Sequence, residues 1–423
     1  MNKIKIKLYE ENMMSEKIEK KSSIIAYSVF IFTLAIVFLN IVSLIFPALL
    51  LASSISLDSR INPFEIGAWA SPLLTADLSV LSLAILYYRK RLPDIITRSF
   101  RFILSFEVSR KIAALTFLVI IVIYIAFSVW ELTLKEADIW ADWKVVSEII
   151  NSFPNGGDEQ ALLKGIYVNN FLLYVSQEFL HNVKIIPFLA SIALVFLTYL
   201  LTVKISQKRF AGLVATVILL QSHTFLRYDT TATYNNFWTV FYLASLYLIY
   251  VKWPLSPLAF VASVFSKALS IAFIPMTLFF AIRSKTKAKT KIGIVVSFII
   301  VIVAAIVALL IAGGLGYGQS LKAFDGLDFV SGLTTWAYQL RIDGLVLLFL
   351  LPVTVGLFIK SREGKTEAES ILVLIAGILL SVPLLAGFTE FNIQPYRWIP
   401  LIAFFAIGVG TLLSKTSANR PQD

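Results

Sequence analysis

The stretch Arg110-Lys111-Ile112-Ala113-Ala114-Leu115-Thr116-Phe117-Leu118-Val119-Ile120-Ile121-Val122-Ile123-Tyr124-Ile125-Ala126-Phe127-Ser128-Val129-Trp130 decides the fold. From Ile112 to Trp130 no residue is charged, close to the about 20 apolar residues a helix needs to cross a bilayer's hydrocarbon core. The run lacks the period-two alternation of a strand, and lipid admits only helices or closed barrels, because no water is present to satisfy a free N–H or C=O. The stretch therefore predicts a membrane-crossing helix.

Runs of the same kind recur from Ile24 to Leu413. Hydrophobic residues make up 58% of the 423 positions and charged residues 15%, a balance that a water-soluble core cannot absorb. The predicted spans are 24–50, 69–88, 112–133, 183–203, 211–225, 235–251, 256–268, 270–282, 292–313, 342–359, 370–387 and 397–414. The expected fold is all-α, a polytopic transmembrane helical bundle of about twelve spans. Residues 256–282 are the delicate part. Basic residues flank them on both sides (Lys252, then Arg283, Lys285 and Lys287), so the chain has to return to the side it left, and a break near Lys267 achieves that.

The formal charge of +11 raises nucleic acid as a partner, but its distribution argues otherwise. Lys17 to Lys21, Arg89 to Lys111, Lys204 to Arg209, Arg283 to Lys291 and Lys360 to Lys365 all fall on one side if every span crosses, and positive loops mark the cytoplasm. The reading is thus a multi-pass cell-membrane protein that meets membrane lipid and no nucleic acid, with cytoplasmic tails at 1–23 and 415–423. No cysteine is present, and His181 and His223 are the two histidines. Thiolate chemistry, disulfides and cysteine-held metals are excluded, and no metal site is expected.

The opposite side receives segments 134–182, 314–341 and 388–396. Within the first, apolar residues recur at helical spacing over 140–153 and 160–180, around the turn Pro154-Asn155-Gly156-Gly157, which predicts two amphipathic surface helices in the outer loop. The glycines at 313, 314, 316, 318, 326 and 332 predict a mobile loop at 314–341.

Ionisable groups on this side are few, and holding one against a membrane is costly unless it pairs, reaches water or serves a function. Asp138 and Asp142 stand four apart after the third span, so on one helix they share a face. Either can act as a general base at a cavity rim, or both can be a solvated helix start. Arg227 and Asp229 form an interfacial ion pair or belong to a site. Lys267 interrupts an apolar stretch, which marks function unless its ammonium snorkels to the surface. Arg397, beside Tyr396 at the start of the last span, is suited to phosphate or is an aromatic-flanked anchor. His181 and His223 can at most ligate one haem.

Taken in order, these elements resemble the core of the GT-C class, the polyprenyl-phosphate-dependent integral membrane glycosyltransferases that include protein mannosyltransferases and aminoarabinose transferases. The matching residues are the acidic outer loop with Asp138 and Asp142, Asn170-Phe171-Leu172-Leu173-Tyr174, the basic hairpin Lys204 to Phe210, Arg227-Tyr228-Asp229 with Asn235-Asn236-Phe237, Ser266-Lys267-Ala268, and Tyr396-Arg397-Trp398-Ile399-Pro400. The resemblance covers over half of the chain through short motifs. It departs from the family in having two spans before the acidic loop, in spacing its acids as Asp138 and Asp142 rather than as a paired Asp-Glu, and in lacking a large outer C-terminal domain. It implies an inverting transfer from a polyprenyl (dolichyl) phosphate sugar donor to a protein, lipid or glycan acceptor on the outer side. Asp142 or Asp138 is then the catalytic base, Lys267, Arg397 and Arg227 bind the departing phosphate, Asp229 orients acceptor or cation, and the 314–334 segment closes over the site. No resident cofactor is implied, and assistance by a divalent metal is left open. The competing readings are a transporter or flippase for a lipid-linked or anionic solute, and a haem-bearing accessory subunit of a membrane complex.

Overall fold

The computed structural model describes residues 2–51, 62, 64–153, 166–311, 322–388 and 394–414, which are mostly helical with no strand among them. Among the described residues seven helices are long and apolar enough to cross a membrane: Ile24–Ile45, Ala70–Tyr88, Arg110–Thr133, Ile185–Ser206, Gly344–Arg362, Thr366–Phe388 and Pro395–Leu412. Arg209–Leu220, Phe237–Val251, Trp253–Ser266 and Ala268–Arg283 are apolar but shorter. At about 1.5 Å per residue they fall short of the about 30 Å of hydrocarbon, so length alone supports fewer crossings than the apolar runs suggested. A further helix spans Ala288–Ile311. The expected first span, 24–50, breaks at Phe46 before Pro47 restarts a short helix at Pro47–Leu51, because a proline disfavours helical geometry at the residue before it and itself fits a helix's first turn.

Burial grades from centre to rim. Pro395–Leu412 and Thr366–Phe388 have 78% and 67% of their apolar windows inside the protein, against 17% for Ala70–Tyr88. The outer helices keep Leu78, Leu115 and Phe127 exposed, as surfaces that face lipid do. The centre is packed closely enough to need glycine at a crossing. A Cβ on Gly410 would stand 2.3 Å from Thr202 Cγ2 and 2.9 Å from the Ala211 carbonyl oxygen.

The break expected near Lys267 is present. Ser256–Ser266 ends, Lys267 is extended, and a tight 3-10 turn over Ala268–Phe273 leads into Ile274–Arg283. Ser245 meets Ser256 at 3.1 Å and Ser263 donates to the Trp238 carbonyl at 2.7 Å, so the first piece runs antiparallel to Phe237–Val251. Thr277 donates to Tyr242 at 3.3 Å, and Tyr250 contacts Phe280, so the second piece runs parallel to it. The chain reverses with Lys267 at the apex.

The basic clusters gather at one end of the bundle. Arg209 pairs with Glu107 at 3.9 Å, the Lys208 ammonium donates to the Leu104 carbonyl, Arg283 meets the fully buried Glu369 at 2.6 Å, and Lys360 meets Glu363 at 2.8 Å. The opposite end is aromatic. One expectation for it changes. The 134–182 segment does hold two helices, Trp143–Ser152 and Tyr167–Leu180, while its turn at 154–157 lies outside the described residues. The mobile loop expected at 314–341 is instead a helix over Gly326–Gln339. Asp325 caps it by accepting from the Leu327 and Asp328 amides at 2.8 and 3.2 Å. Gly332, read as a sign of mobility, is there for close packing: a Cβ on it would stand 2.7 Å from Ala386 Cβ. Residues 312–321 lie outside the described set.

Candidate functional site

At the aromatic end the Arg110–Ser128 helix tightens into a 3-10 turn over Val129–Thr133, and a single helical turn follows at Glu136–Ile139. Trp140 is extended (φ −126°, ψ 117°) and ends that turn. Asp138 and Asp142 therefore do not share a helix face. Asp138 belongs to the short turn, exposed and without a side-chain partner, while Asp142 stands at the N-cap position of Trp143–Ser152. The Asp142 carboxylate caps no amide of that helix and accepts the hydroxyl proton of Tyr234 instead.

Tyr234 is presented by the 229–236 loop, which hydrogen bonds to the 128–136 segment hold down. Asp229 accepts from Ser128 at 2.8 Å, and Glu131 accepts from Thr230 at 2.8 Å. Glu136, buried, accepts the amides of Ala232 and Thr233 at 3.1 Å each and the Thr233 hydroxyl at 2.7 Å. The buried Lys184 ammonium lies 3.6 Å from Glu136 and donates to the Glu131 carbonyl at 2.9 Å, so the charge on Glu136 is balanced. At the far end of the loop Asn236 donates to Ser191 at 3.0 Å and Asn235 to Asn169 at 2.7 Å. A loop pinned at this many points keeps the Tyr234 ring in one place.

That ring belongs to an aromatic cluster. Tyr234 stacks on Tyr396 with centroids 4.8 Å apart, and Trp140 stacks on Tyr228 at 5.3 Å and meets Tyr234 edge-on at 5.0 Å. Cations border it. The Lys267 ammonium hydrogen-bonds the Tyr396 hydroxyl and sits 4.4 Å from that ring's centroid, Arg397 lies 5.6 Å from the same ring, and Arg227 lies 5.5 Å from Trp140, distances at which ring quadrupoles attract cations. Lys267, reached by a chain reversal, thus meets the start of the last helix.

The structure brings Asp142, Lys267, Tyr396 and Arg397 together through Tyr234, with the exposed Arg227 at the edge. It does not bring in Asp229. That carboxyl is 1% exposed and faces the Arg110–Ser128 helix through Ser128, so of the two alternatives the ion pair with Arg227 does not form. Burial pushes its pKa up to about 7, the hydrogen bond from Ser128 pulls the other way, and the neighbouring Glu131 charge raises it further. His181 and His223 are both exposed, His181 in the left-handed conformation that ends Tyr167–Leu180. Among the described residues no group of three or more His, Asp or Glu is arranged to hold a metal.

Glu131, Glu136, Lys184 and Tyr234 were not singled out from sequence. Lys184 carried a usable signal, since a lysine at the outer start of a span runs against the positive-inside pattern. Glu136 opens the stretch that carries Asp138 and Asp142, but nothing in the sequence set it apart from them. No family model, curated protein or solved structure matches the chain.

Proposed function

We propose that the chain is a multi-pass membrane glycosyltransferase, with its aromatic end outside and its basic end in the cytoplasm. It moves a sugar from a polyprenyl-phosphate donor to an acceptor on the outer side. The observation that carries the reading is one chain of contacts: Asp142 to Tyr234 by a hydrogen bond, Tyr234 to Tyr396 by stacking, and Tyr396 to Lys267 by a hydrogen bond. A carboxylate and a pair of cations, far apart in sequence, thereby border one aromatic surface.

In this reading Asp142 takes the proton of the acceptor hydroxyl or amine as the acceptor bonds to the anomeric carbon. The bond from that carbon to the phosphate oxygen breaks on the opposite face, with inversion. Lys267 and Arg397 stabilise the charge gathering on the departing phosphate, and Arg227 supports them from the edge. The aromatic faces suit a sugar ring, whose C–H groups pack on them. Asp142 is favoured over Asp138 because Tyr234 holds it beside the cluster. A second reading, a transporter or flippase for a lipid-linked anion, draws on the break at Lys267, since interrupted helices form binding sites in transporters.

The test is transfer of a labelled sugar from polyprenyl-phosphate donors by the purified protein, beside Asp142→Asn and Asp138→Asn. Loss of a general base lowers turnover by about 10²–10⁴-fold and is expected for Asp142→Asn alone. Full turnover by Asp142→Asn would remove the base assignment. Tight donor binding without transfer, across several sugars and acceptors, would replace the enzyme by the transporter.

A further inference from the structure

The Asp94–Ser105 helix has no buried residue. At about 3.6 residues per turn, Asp94, Arg98, Arg101 and Ser105 fall on one side. Ile95, Ile96, Phe100, Phe102, Ile103 and Leu104 fall on the other, all exposed, Ile95 by 79% and Phe102 by 64%. Ser99, the polar residue on that apolar side, turns its hydroxyl back to the Ile95 carbonyl at 3.0 Å. The helix is 12 residues long, about 18 Å, too short to cross. It joins Ala70–Tyr88 to Arg110–Ser128, so both of its ends lie where crossing helices leave the membrane. The Lys208 bond to the Leu104 carbonyl, Tyr87 against Phe100 at 5.9 Å and Phe106 against Phe210 at 4.9 Å tether it to the basic end. Tyr87 touches Phe100 and Phe106 touches Phe102 at 5.4 Å, yet all six apolar side chains stay exposed.

We infer that Asp94–Ser105 lies in the plane of the membrane with its apolar side in the acyl chains, and that its arginines make it a docking surface for anionic phospholipid headgroups. Charge chooses the occupant. Arg98 and Arg101 share their level with Arg89, Lys90, Arg91, Arg110 and Lys111, all exposed, whereas the nearby acids are Asp94, the Arg209-paired Glu107 and the Lys360-paired Glu363. A short helix with aromatic and branched side chains on one face and arginines on the other is the form that sits at the headgroup boundary, and juxtamembrane basic residues draw anionic lipid. This inference is independent of the proposed transferase activity.

The natural chain has no cysteine, so one introduced thiol labels a single position. Full-length Phe102→Cys carries a long-wavelength fluorophore and is reconstituted into mixed vesicles in which either phosphatidylglycerol or phosphatidylcholine bears brominated acyl chains. A label at Leu78→Cys, on the lipid-facing side of a crossing helix at 65% exposure, confirms correct insertion. Both bromolipids are expected to quench the Phe102 position, brominated phosphatidylglycerol more strongly. Arg98→Gln and Arg101→Gln are each expected to cut that preference about fivefold while quenching persists. Absence of quenching at Phe102, with Leu78 quenched, overturns the in-plane helix. Equal quenching by the two lipids, or a preference that survives both substitutions, overturns the anionic docking surface.

Discussion

Replacing Asp229 by asparagine tests the burial argument without any assay of function. The carboxyl is raised from 3.8 to about 7 in the fold. Between those values the folded protein keeps a proton that the unfolded chain has released, so stability is greatest at the acid end and falls as pH rises towards about 7. Integrated from pH 5 to pH 8, a group with these two constants costs the wild type about 2.5 kcal/mol. The asparagine side chain stays neutral at every pH, and its carbonyl can still accept from Ser128. The difference between Asp229→Asn and wild type therefore isolates this group from other titrations. Thermal unfolding of both proteins in one detergent should show a gap in favour of the variant that widens from pH 5 to pH 8. A gap that does not change with pH, or a variant that becomes relatively less stable at pH 8, would refute the claim that this carboxyl is held in its neutral form.

Three other substitutions probe the contacts that build the site and the bundle. Glu136→Ala strands two amides and the Lys184 ammonium and is expected to cost about 3–5 kcal/mol, read by chemical denaturation, with Lys184→Met restoring part of it; unchanged stability would mean that the loop is held elsewhere. Gly410→Ala drives a methyl into Thr202 and the Ala211 carbonyl, so melting should fall by an amount equivalent to about 1–3 kcal/mol, and an unaltered melting temperature would show that the helices there can separate freely. Tyr396→Phe keeps the stack on Tyr234 and removes the hydroxyl that orients Lys267. A lost hydrogen bond to a charged group is worth about 1.5–3 kcal/mol, so donor binding should weaken about tenfold or more, and wild-type affinity would detach Lys267 from the donor site.

What the sequence by itself determined are properties that each segment carries alone. An uncharged run such as Ile112 to Trp130 has to be helical in lipid whatever surrounds it, because its backbone cannot find partners elsewhere. Basic residues on both flanks of 256–282 required a reversal near Lys267, which the extended Lys267 and the 3-10 turn after it provide. The amphipathic spacing after Trp140 announced Trp143–Ser152 in the same way. Tertiary structure alone decided which acid meets which partner. Asp138 and Asp142 looked equivalent until the extended Trp140 separated them and Tyr234, 92 positions away, selected Asp142. Asp229 looked like a partner for Arg227 and turned instead to Ser128, 101 positions away. The glycines before Gln339 looked like a flexible loop until the Thr366–Phe388 helix supplied a surface close enough to need Gly332. Hydropathy and helix formation are set by neighbours along the chain, whereas pairing and close approach depend on segments that only folding brings within a few ångströms.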